Sequence, residues 1–395
     1  MQTAQLVARD PKAQPIPFHR ASFDEAEVQA VSEVVRSGWL TMGPKTFEFE
    51  RQFKAYVGAQ HAVAVASCTA ALHLSLAAVG LSAGQEVLVP TTTFTSTAEV
   101  VTYFGARPVL VDIDPATMNI DPADAARRIT PGTRAIVPVH FAGQPCDLEA
   151  ITHLAEQHDL RVIEDAAHAL PACYRGKRIG AISPLTAFSF YATKTLATGE
   201  GGMITTADDG LAERIRRLRL HGISRDAWKR YSSEGSWYYE VEEAGYKYNF
   251  TDLQAALGLV QLSKCDALWA ARSQIAERYT RAFNELPTLE APSVSKDRTS
   301  AWHLYVLRLR PGLRITRNHF IELLRERGIG TSVHFIPLHL HPFYRAAYGY
   351  RPGDFPHAER EYERCLSLPI YPGMTECDVG RVIEAVSEIA GDHQI

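Results

Sequence analysis

Between about residues 60 and 206, short apolar runs rich in β-branched residues alternate with longer amphipathic stretches. Strands are predicted at 62–66, 86–90, 108–113, 134–141, 161–166, 186–191 and 201–206. Helices are predicted at 69–80, 94–104, 121–129 and 147–158. Strands that are apolar on both faces and joined by helices predict a mainly parallel α/β sheet covered on both sides. Ligands of such sheets bind outside the carboxyl ends of the strands, so functional residues are expected there.

The pattern changes after residue 207, which indicates a second domain. A charged helix at 208–219 and a polar aromatic loop precede a long helix predicted at 252–286. Because single cores stop growing at about 250 to 300 residues, a chain of 395 residues can hold two. We expect a large domain with an N-terminal arm at 1–251, a bridging helix at 252–286 and a smaller C-terminal α+β domain at 287–395. The elements predicted in the small domain are a strand at 303–309 and helices at 316–327 and 375–390.

Charge and cysteine content argue against several classes of protein. The formal net charge is -4, whereas a nucleic-acid-binding protein typically has an excess of positive charge. We therefore expect a small-molecule partner. The six cysteines form no C-x-x-C pair, which is typical of free thiols in a reducing cytoplasm. The first residues carry charge and proline where a signal peptide has an apolar core, and no apolar run reaches the about 20 residues of a membrane span. We expect a cytoplasmic protein that binds neither nucleic acid nor membrane.

Two charged residues follow predicted strands at one edge of the sheet. Asp165 lies in the run RVIEDA, and Lys194 follows the run TAFSFY. An aldehyde cofactor needs a lysine for a Schiff base, and a pyridine ring that acts as an electron sink needs a carboxylate beside its nitrogen. A lone lysine is more often a solvated loop residue. Here a glycine-rich run at 198–202 follows Lys194 and lets the backbone approach a ligand closely.

Two further strand ends offer candidate ligands. The segment 67–71 joins a strand to a helix and places hydroxyls and unpaired N–H groups at the helix N-terminus, which suits a phosphate. A Ser or Thr before a helix is more often only a cap. Phe94 follows the strand at 86–90 and could stack on a cofactor ring, although an isolated phenylalanine is typical of a core. These signals gain their meaning in combination with Asp165 and Lys194.

Eight segments in order resemble the DegT/DnrJ/EryC1/StrS family of pyridoxal-phosphate (PLP)-dependent sugar aminotransferases, which have the aspartate aminotransferase-like fold, PLP fold type I. The match extends from about Gly38 to the C-terminus. The segments are SGWLTMGPK, ASCTAALHL, VPTTTFTSTAEVV, PVHFAGQPCDL, VIEDAAHAL, FSFYATKTLATGEGG, GYKYNFTDLQAALG and AWHLYVLRL. GYKYN, AWHL and GIGTSVHF are also similar to the branch that aminates UDP-linked 4-keto sugars.

The resemblance implies roles for individual residues. Lys194 matches the Schiff-base lysine, and Asp165 matches the partner of the pyridine nitrogen. The other implied cofactor contacts are Thr69, Ala70 and Ser189 at the phosphate, Phe94 stacked on the ring, His168 near the 3-oxygen, and Asn249 reaching the phosphate from the neighbouring subunit of a homodimer. Pro171 stands where the family commonly has glycine, which leaves the geometry of the following loop open.

A second group of residues is predicted on the substrate side. Tyr191 and His334 are expected to line the substrate, and Lys229, Arg230 and Lys247 are expected to neutralise a nucleotide diphosphate. Each of these is also an ordinary kind of surface residue. His334, His339 and His341 lie in one loop, but the resemblance favours substrate contact or loop packing over a metal site. No metal is expected, because the reaction needs none.

The resemblance implies a ping-pong transamination through a Lys194 aldimine. Glutamate is the expected amino donor, and the acceptor is a nucleotide-linked keto sugar, with a 4-keto sugar favoured. Between the half-reactions the freed Lys194 moves protons as general base and acid. One alternative is a PLP-dependent sugar dehydratase of the same fold, in which the lysine position is typically a histidine. Another is a ligand-binding regulator that has lost catalysis, which Lys194 and Asp165 together argue against.

Overall fold

A computed structural model describes residues 14–223 and 238–395. The predicted substrate contacts Lys229 and Arg230 lie outside the described residues. In chain order the strands are β1 (His61–Val65), β2 (Glu86–Pro90), β3 (Arg107–Val111), β4 (Thr133–Ile136), β5 (Arg161–Asp165), β6 (Cys173–Tyr174), β7 (Lys177–Arg178), β8 (Leu185–Ser189), β9 (Gly202–Thr206), β10 (Leu289–Glu290), β11 (Arg298–Thr299), β12 (Tyr305–Leu309) and β13 (Cys365–Leu368).

The α-helices are interleaved with these strands. They are α1 (Glu25–Ser37), α2 (Pro44–Val57), α3 (Cys68–Ala78), α4 (Ser96–Thr102), α5 (Pro122–Arg127), α6 (Leu148–His158), α7 (Asp209–Leu218), α8 (Asp252–Phe283), α9 (Arg317–Glu326), α10 (Pro342–Tyr348), α11 (Pro356–Arg364) and α12 (Glu376–Asp392). Every predicted helix is present close to its expected ends. Helices α1, α2, α10 and α11 have no counterpart among the predictions.

Seven strands form the central sheet in the order β1-β9-β8-β5-β4-β2-β3. From β8 to β3 the neighbouring strands are parallel, whereas β9 runs antiparallel to β1 and β8. The predicted mainly parallel sheet is therefore confirmed, with one antiparallel strand inside it. The run predicted as a strand at 134–141 forms β4 only as far as Ile136. Pro138 lies just beyond and has no N–H for a further ladder bond.

Alternate residues of the sheet enter two different apolar cores, one on each face. In β1, Val63 and Val65 pack in the first core, while Ala62 and Ala64 pack in the second. The same alternation separates Val87 and Val89 from Leu88 in β2. Because successive side chains of a strand point to opposite faces, a run that is apolar at every position requires cover on both sides. The helices supply that cover, and the carboxyl edge of the sheet stays accessible.

A third core lies in the C-terminal region, around the small sheet β10-β12-β13. It contains Phe283 from the end of α8 and residues of α9 and α12. Ile16, near the start of the described residues, packs in the same core and pairs with Ile329. We propose two domains on this basis, close to the expected ranges, with the segment around Ile16 packed on the small domain rather than on the large one. Within residues 14–223 and 238–395, none of the helices combines the length and apolar character that a membrane crossing requires.

Candidate active site

A cavity of about 490 Å³ lies at the carboxyl ends of the parallel strands. This volume is in the range of small-molecule sites, about 300 to 1,000 Å³. The large domain supplies one wall, and the segment around His19 and the small domain supply the other. The lining residues are Phe18, His19, Ser67, Cys68, Thr69, Thr93, Phe94, Ser96, Val139, Asp165, Ala167, His168, Ser189, Tyr191, Thr193, Lys194, Glu200, His303, Leu304, His334, Phe335 and Ile370.

Lys194 lies in the cavity wall, on the loop between β8 and β9. Its backbone N–H donates to the Tyr191 carbonyl at 2.8 Å, and the neighbouring Thr195 hydroxyl donates to the Leu170 carbonyl at 2.5 Å. The second bond ties this loop to the residue before Pro171, where the sequence left the geometry open. Burial lowers the pKa of Lys194 from 10.5 to about 8, although Cys68 and Asp165 oppose the shift. A larger share of the amine is therefore neutral, as a nucleophile or general base requires.

Asp165 is the last residue of β5, and only 4% of it is exposed. Its Oδ2 accepts a hydrogen bond from the Thr97 hydroxyl at 2.8 Å, and its Oδ1 accepts one from the Ala167 N–H at 3.1 Å. Burial raises the pKa of Asp165, while the bonds from Thr97 and Ala167 and the charge of Lys194 pull it down. The carboxylate lies in a setting where a cation pairs strongly with it, because little water is present to screen the charges.

The N-terminus of α3 forms another part of the wall. Ser67 caps this helix, and its hydroxyl accepts from the Ala70 N–H at 3.0 Å. The N–H groups of Cys68 and Thr69, in the first turn, have no acceptor within the helix and carry the positive end of its dipole. At Gly202 in β9, a Cβ would lie 2.5 Å from the Ser67 carbonyl oxygen. A larger residue there would push β9 away from this turn.

Three histidines meet in the cavity. The rings of His168 and His303 lie 4.4 Å apart, and the His168 ring stacks on Phe335. His334 Nδ1 is 2.8 Å from the Ser367 hydroxyl. Burial lowers the pKa of His168 and His303 well below the usual value and that of His334 to about 4, so all three are neutral at pH 7. The buried Nδ1 atoms of His168 and His303 have no hydrogen-bond partner among the described residues.

Most of the residues predicted from the sequence come together in this cavity. Those that line it are Thr69, Phe94, Asp165, His168, Ser189, Tyr191, Lys194 and His334. Ala70 is buried directly behind Thr69, with its N–H bonded to Ser67. Asn249 and Lys247 lie outside the lining of their own chain's cavity. Asn249 instead pairs through its backbone with Val65, at the end of β1.

Several lining residues were missed by sequence reasoning. His303 lies in the segment AWHL, which is part of the family resemblance, so the sequence contains a signal for it. Phe18 and His19 lie in an irregular segment before α1 that has no apolar periodicity to mark it. The ring of Phe18 stacks on His334 at 5.6 Å. The segment thus reaches the cavity by packing on the small domain, which a local pattern does not reveal.

His339, in the same loop as His334, has ordinary protein partners. His339 is fully buried, with Nδ1 2.8 Å from the Thr91 hydroxyl and Nε2 2.8 Å from a Glu359 carboxylate oxygen. These contacts join the end of β2 to the small domain. Across the described part of the chain, no group of three or more His, Cys, Asp or Glu side chains is arranged to hold a metal ion.

The residues present fit pyridoxal phosphate. Lys194 offers an amine of lowered pKa for the aldehyde, and Asp165 offers a carboxylate for the ring nitrogen. The open first turn of α3 and the Ser189 hydroxyl offer donors for a phosphate. His168 brings a buried, unpartnered ring nitrogen that a ligand can satisfy. The bound cofactor would supply an electron sink for the carbon that gains or loses the amino group.

Comparison with known proteins agrees with this geometry. The model of the DegT/DnrJ/EryC1/StrS aminotransferase family matches residues 21–387. The spore coat polysaccharide biosynthesis protein SpsC of Bacillus subtilis is 54% identical over 376 residues, covering 95% of this chain and 97% of that protein. Spr1654 of Streptococcus pneumoniae, in its PLP form, has a TM-score of 0.90 at 32% identity, covering 96% of this chain and 99% of its own.

A second solved structure is also that of a sugar aminotransferase. The sugar aminotransferase CalS13 of Micromonospora echinospora has a TM-score of 0.85 at 33% identity, covering 94% of this chain and 99% of its own. Spr1654 is also known in a PMP form, with a TM-score of 0.89. The predicted fold and cofactor are thereby confirmed. The chain belongs to the DegT/DnrJ/EryC1/StrS family of pyridoxal-phosphate-dependent sugar aminotransferases.

Proposed function

We propose that this aminotransferase acts on a nucleotide-linked keto sugar, with a 4-keto sugar as the favoured acceptor and L-glutamate as the donor. The observation that carries the proposal is the meeting of Lys194 and Asp165 in one cavity of about 490 Å³. The similarity of GYKYN, AWHL and GIGTSVHF to the UDP-4-keto-sugar branch supports the acceptor. The name of SpsC, which refers to polysaccharide biosynthesis, agrees with a sugar product.

Lys194 has two roles in the proposed reaction. Its amine would hold the cofactor through the aldehyde, and when free it would carry a proton to and from the reacting carbon as general base and acid. A pKa of about 8 suits both tasks near neutral pH, because the group can give up and regain a proton at little cost. Asp165 would hold the ring nitrogen in its protonated form, and the neutral histidines offer hydrogen bonds to uncharged hydroxyls and keto groups.

The nucleotide contacts remain part of the proposal. Lys247 is exposed and lies outside the lining of its own cavity, and Lys229 and Arg230 are outside the described residues. We propose that Lys247 meets the diphosphate at the mouth of a site completed by a second chain, and that Lys229 and Arg230 add positive charge for the same group. The cytoplasm is the proposed location, because all six cysteines are free thiols, two of them at the cavity or the surface.

The decisive experiment separates the two half-reactions. The PLP-loaded protein is mixed with L-glutamate, and loss of the visible cofactor absorbance with release of 2-oxoglutarate is expected. Candidate nucleotide-linked keto sugars are then added without donor, and the correct one restores the absorbance and gains an amino group by mass spectrometry. A sugar dehydratase would instead release water from the sugar and gain no nitrogen. If none of the amino donors tested lowers the cofactor absorbance, the aminotransferase reaction itself is contradicted. If a donor other than glutamate lowers it, only the assignment of glutamate is wrong.

A further inference from the structure

Two threonines form a buried chain of hydrogen bonds that ends on Asp165. The Thr93 and Thr97 hydroxyl oxygens lie 2.8 Å apart, and the Thr97 hydroxyl lies 2.8 Å from Asp165 Oδ2. Thr93 is 2% exposed and Thr97 is fully buried, so water does not replace either contact. Thr93 follows β2, Thr97 lies in α4 and Asp165 ends β5. This series of hydrogen bonds therefore crosses the edge of the sheet past β4, which lies between β2 and β5.

The direction of these bonds follows from the charge of Asp165. An ionised carboxylate can only accept, so the single Thr97 proton must point at Oδ2. The Thr97 oxygen is then an acceptor, and Thr93 must donate to it. Ala167 N–H occupies Oδ1 from the other side at 3.1 Å. Both oxygens are thus held, and the rotation of the carboxylate about its last bond is fixed.

We propose that Thr97 is a positioning residue that holds Asp165 ionised and correctly rotated for the cofactor's ring nitrogen, with Thr93 fixing the direction of the Thr97 hydroxyl. The inference rests on the proposed role of Asp165. Hydrogen bonds to charged groups are about twice as strong as neutral ones and favour the charged form. The Thr97 bond opposes burial, which by itself would favour the neutral acid.

The alternative is that Thr97 only anchors α4 to the sheet. The two readings differ in their pH dependence. Removal of the hydroxyl raises the pKa of Asp165, so the acid side of any profile that needs the carboxylate moves to higher pH. The other titratable groups that act on or contact Asp165 are Lys194, His140, Cys68 and Cys146, and all of them stay in place. A purely mechanical anchor would lower stability and leave the pH profile unmoved.

The test compares four variants of the full chain. Thr97→Val removes the hydroxyl at nearly constant volume, Thr97→Ser keeps it, and Thr93→Val removes only the second donor. Thr92→Val is the matched control, because Thr92 is equally buried and its hydroxyl has no partner among the described residues. The measurements are the PLP dissociation constant, the pH dependence of the bound cofactor's absorbance, the rate of the glutamate half-reaction and thermal unfolding of the apoprotein.

We expect Thr97→Val to slow the half-reaction about 10- to 100-fold, the size of a lost hydrogen bond to a charged group, and to move the acid transition of the cofactor absorbance to higher pH. The half-reaction rate of Thr97→Ser should stay within about threefold of the wild-type rate. The rate of Thr93→Val should lie between those of Thr97→Val and Thr97→Ser, and the rate of Thr92→Val should match wild type. The proposal is overturned if Thr97→Val has an unshifted transition and wild-type rate, or if Thr92→Val shows the same loss.

Two outcomes are kept apart by this design. If wild type does not react with glutamate, the donor assignment fails, and the absorbance transition and PLP affinity still decide the role of Thr97. If Thr97→Val does not fold, the comparison of Thr93→Val with Thr92→Val decides it, because only the first shifts the transition under the proposal.

Discussion

Lys194 illustrates how a buried setting turns a common residue into a reactive one. With its pKa lowered to about 8, roughly one amine in ten is neutral at pH 7, about 300-fold more than for a lysine of ordinary pKa. The cause is burial in the cavity wall rather than a neighbouring cation. The sequence places this lysine at a strand end, but it does not show how deeply the side chain is buried. That depth depends on residues 18, 303 and 334, which line the cavity from distant parts of the chain.

The lowered pKa of Lys194 can be measured directly in the apoprotein. Limiting acetic anhydride reacts only with neutral amines, and site-resolved mass spectrometry gives the extent of labelling at each lysine. Between pH 6 and 10, labelling of Lys194 should be half-maximal near pH 8. Exposed Lys177 in the same sample corrects for reagent decay. A half-maximal pH above 10 would show that the cavity does not perturb this amine.

We predict that the ionised Asp165 lowers the stability of the folded apoprotein at neutral pH. Burial raises its pKa, so the ionised form is less favoured in the folded apoprotein than in the unfolded chain. The contribution of Asp165 to the free energy of unfolding is therefore most favourable below its pKa in the unfolded chain, about 3.9. That contribution is lost as the pH rises through the pKa of Asp165 in the folded protein. Apo Asp165→Asn should unfold at the same or a higher temperature than wild type at pH 7, and the difference should shrink towards pH 4.

The same Asp165→Asn protein should lose most of its activity. A neutral amide cannot hold the ring nitrogen protonated, so the glutamate half-reaction should slow on the order of 100- to 1,000-fold, a typical loss for one preorganised electrostatic contact. Thr97 and Thr93 can reverse their hydroxyls to accept from the amide, so the fold should survive. Near-normal rates in a folded, PLP-loaded protein would remove Asp165 from the proposed role.

The first turn of α8 holds two neighbouring segments in place. Asp252, its first residue, is 2% exposed and accepts from the Gly43 and Thr46 N–H groups and the Thr46 hydroxyl at 2.7 to 2.9 Å. These donors belong to the N-terminus of α2, so one carboxylate caps a helix more than 200 residues away in sequence. Gln254, in the same turn, donates to the Glu200 carbonyl of the glycine-rich loop.

Removal of this carboxylate should be costly for the fold. Asp252→Ala leaves several buried donors of α2 without an acceptor, and each such loss costs about 1 to 3 kcal/mol. We expect the free energy of unfolding of the apoprotein, from urea titration, to fall by about 2 to 4 kcal/mol. Asp208→Ala is the matched control, because Asp208 caps α7 from an exposed position and its loss should cost only about 1 kcal/mol. Equal effects would mean that the contact with α2 contributes nothing beyond an ordinary cap.

The two-residue strands β6 and β7 of the large domain lack an apolar run and were not predicted. The order of the central-sheet strands and the helices between them could be predicted from the sequence, because these strands contain neighbouring apolar residues and are followed by a helix or a turn. Helices α1 and α2 could not. They pack on α8, and α2 depends on the remote Asp252 for its first N–H groups. Their apolar residues are few, with Phe49, Phe53 and Val57 as the buried face of α2. Long-range capping and a narrow apolar face leave little local signal.

The cavity is built where three parts of the chain meet. The large domain contributes the carboxyl edge of its sheet, the segment at 18–19 crosses from the small domain, and the small domain contributes His334 and Phe335. Phe94 and Tyr191 line the cavity and remain 59% and 47% exposed. We propose that a second copy of the chain covers this open side and adds Asn249, which lies outside the lining of its own cavity.

The proposed exchange of Asn249 between two chains predicts the outcome of mixing two inactive variants. Asn249→Asp places a carboxylate against the cofactor phosphate and repels it, whereas Lys194→Ala disables the site of its own chain. Each homodimer should be nearly inactive. In a mixed dimer, one site has both defects and the other combines the intact Lys194 of one chain with the intact Asn249 of its partner, because twofold symmetry makes the exchange reciprocal.

Random pairing after joint unfolding and refolding makes half of the dimers mixed, and half of the sites in those dimers are intact. Activity should therefore return to about a quarter of wild type. The measurement is the overall transamination rate per subunit, with native mass spectrometry reporting the share of mixed dimers. Separately refolded variants combined afterwards should stay inactive until their subunits exchange. If mixed dimers form and bind PLP but no activity returns, Asn249 acts in the site of its own chain or in neither, since an exchange across the twofold axis must leave one site whole.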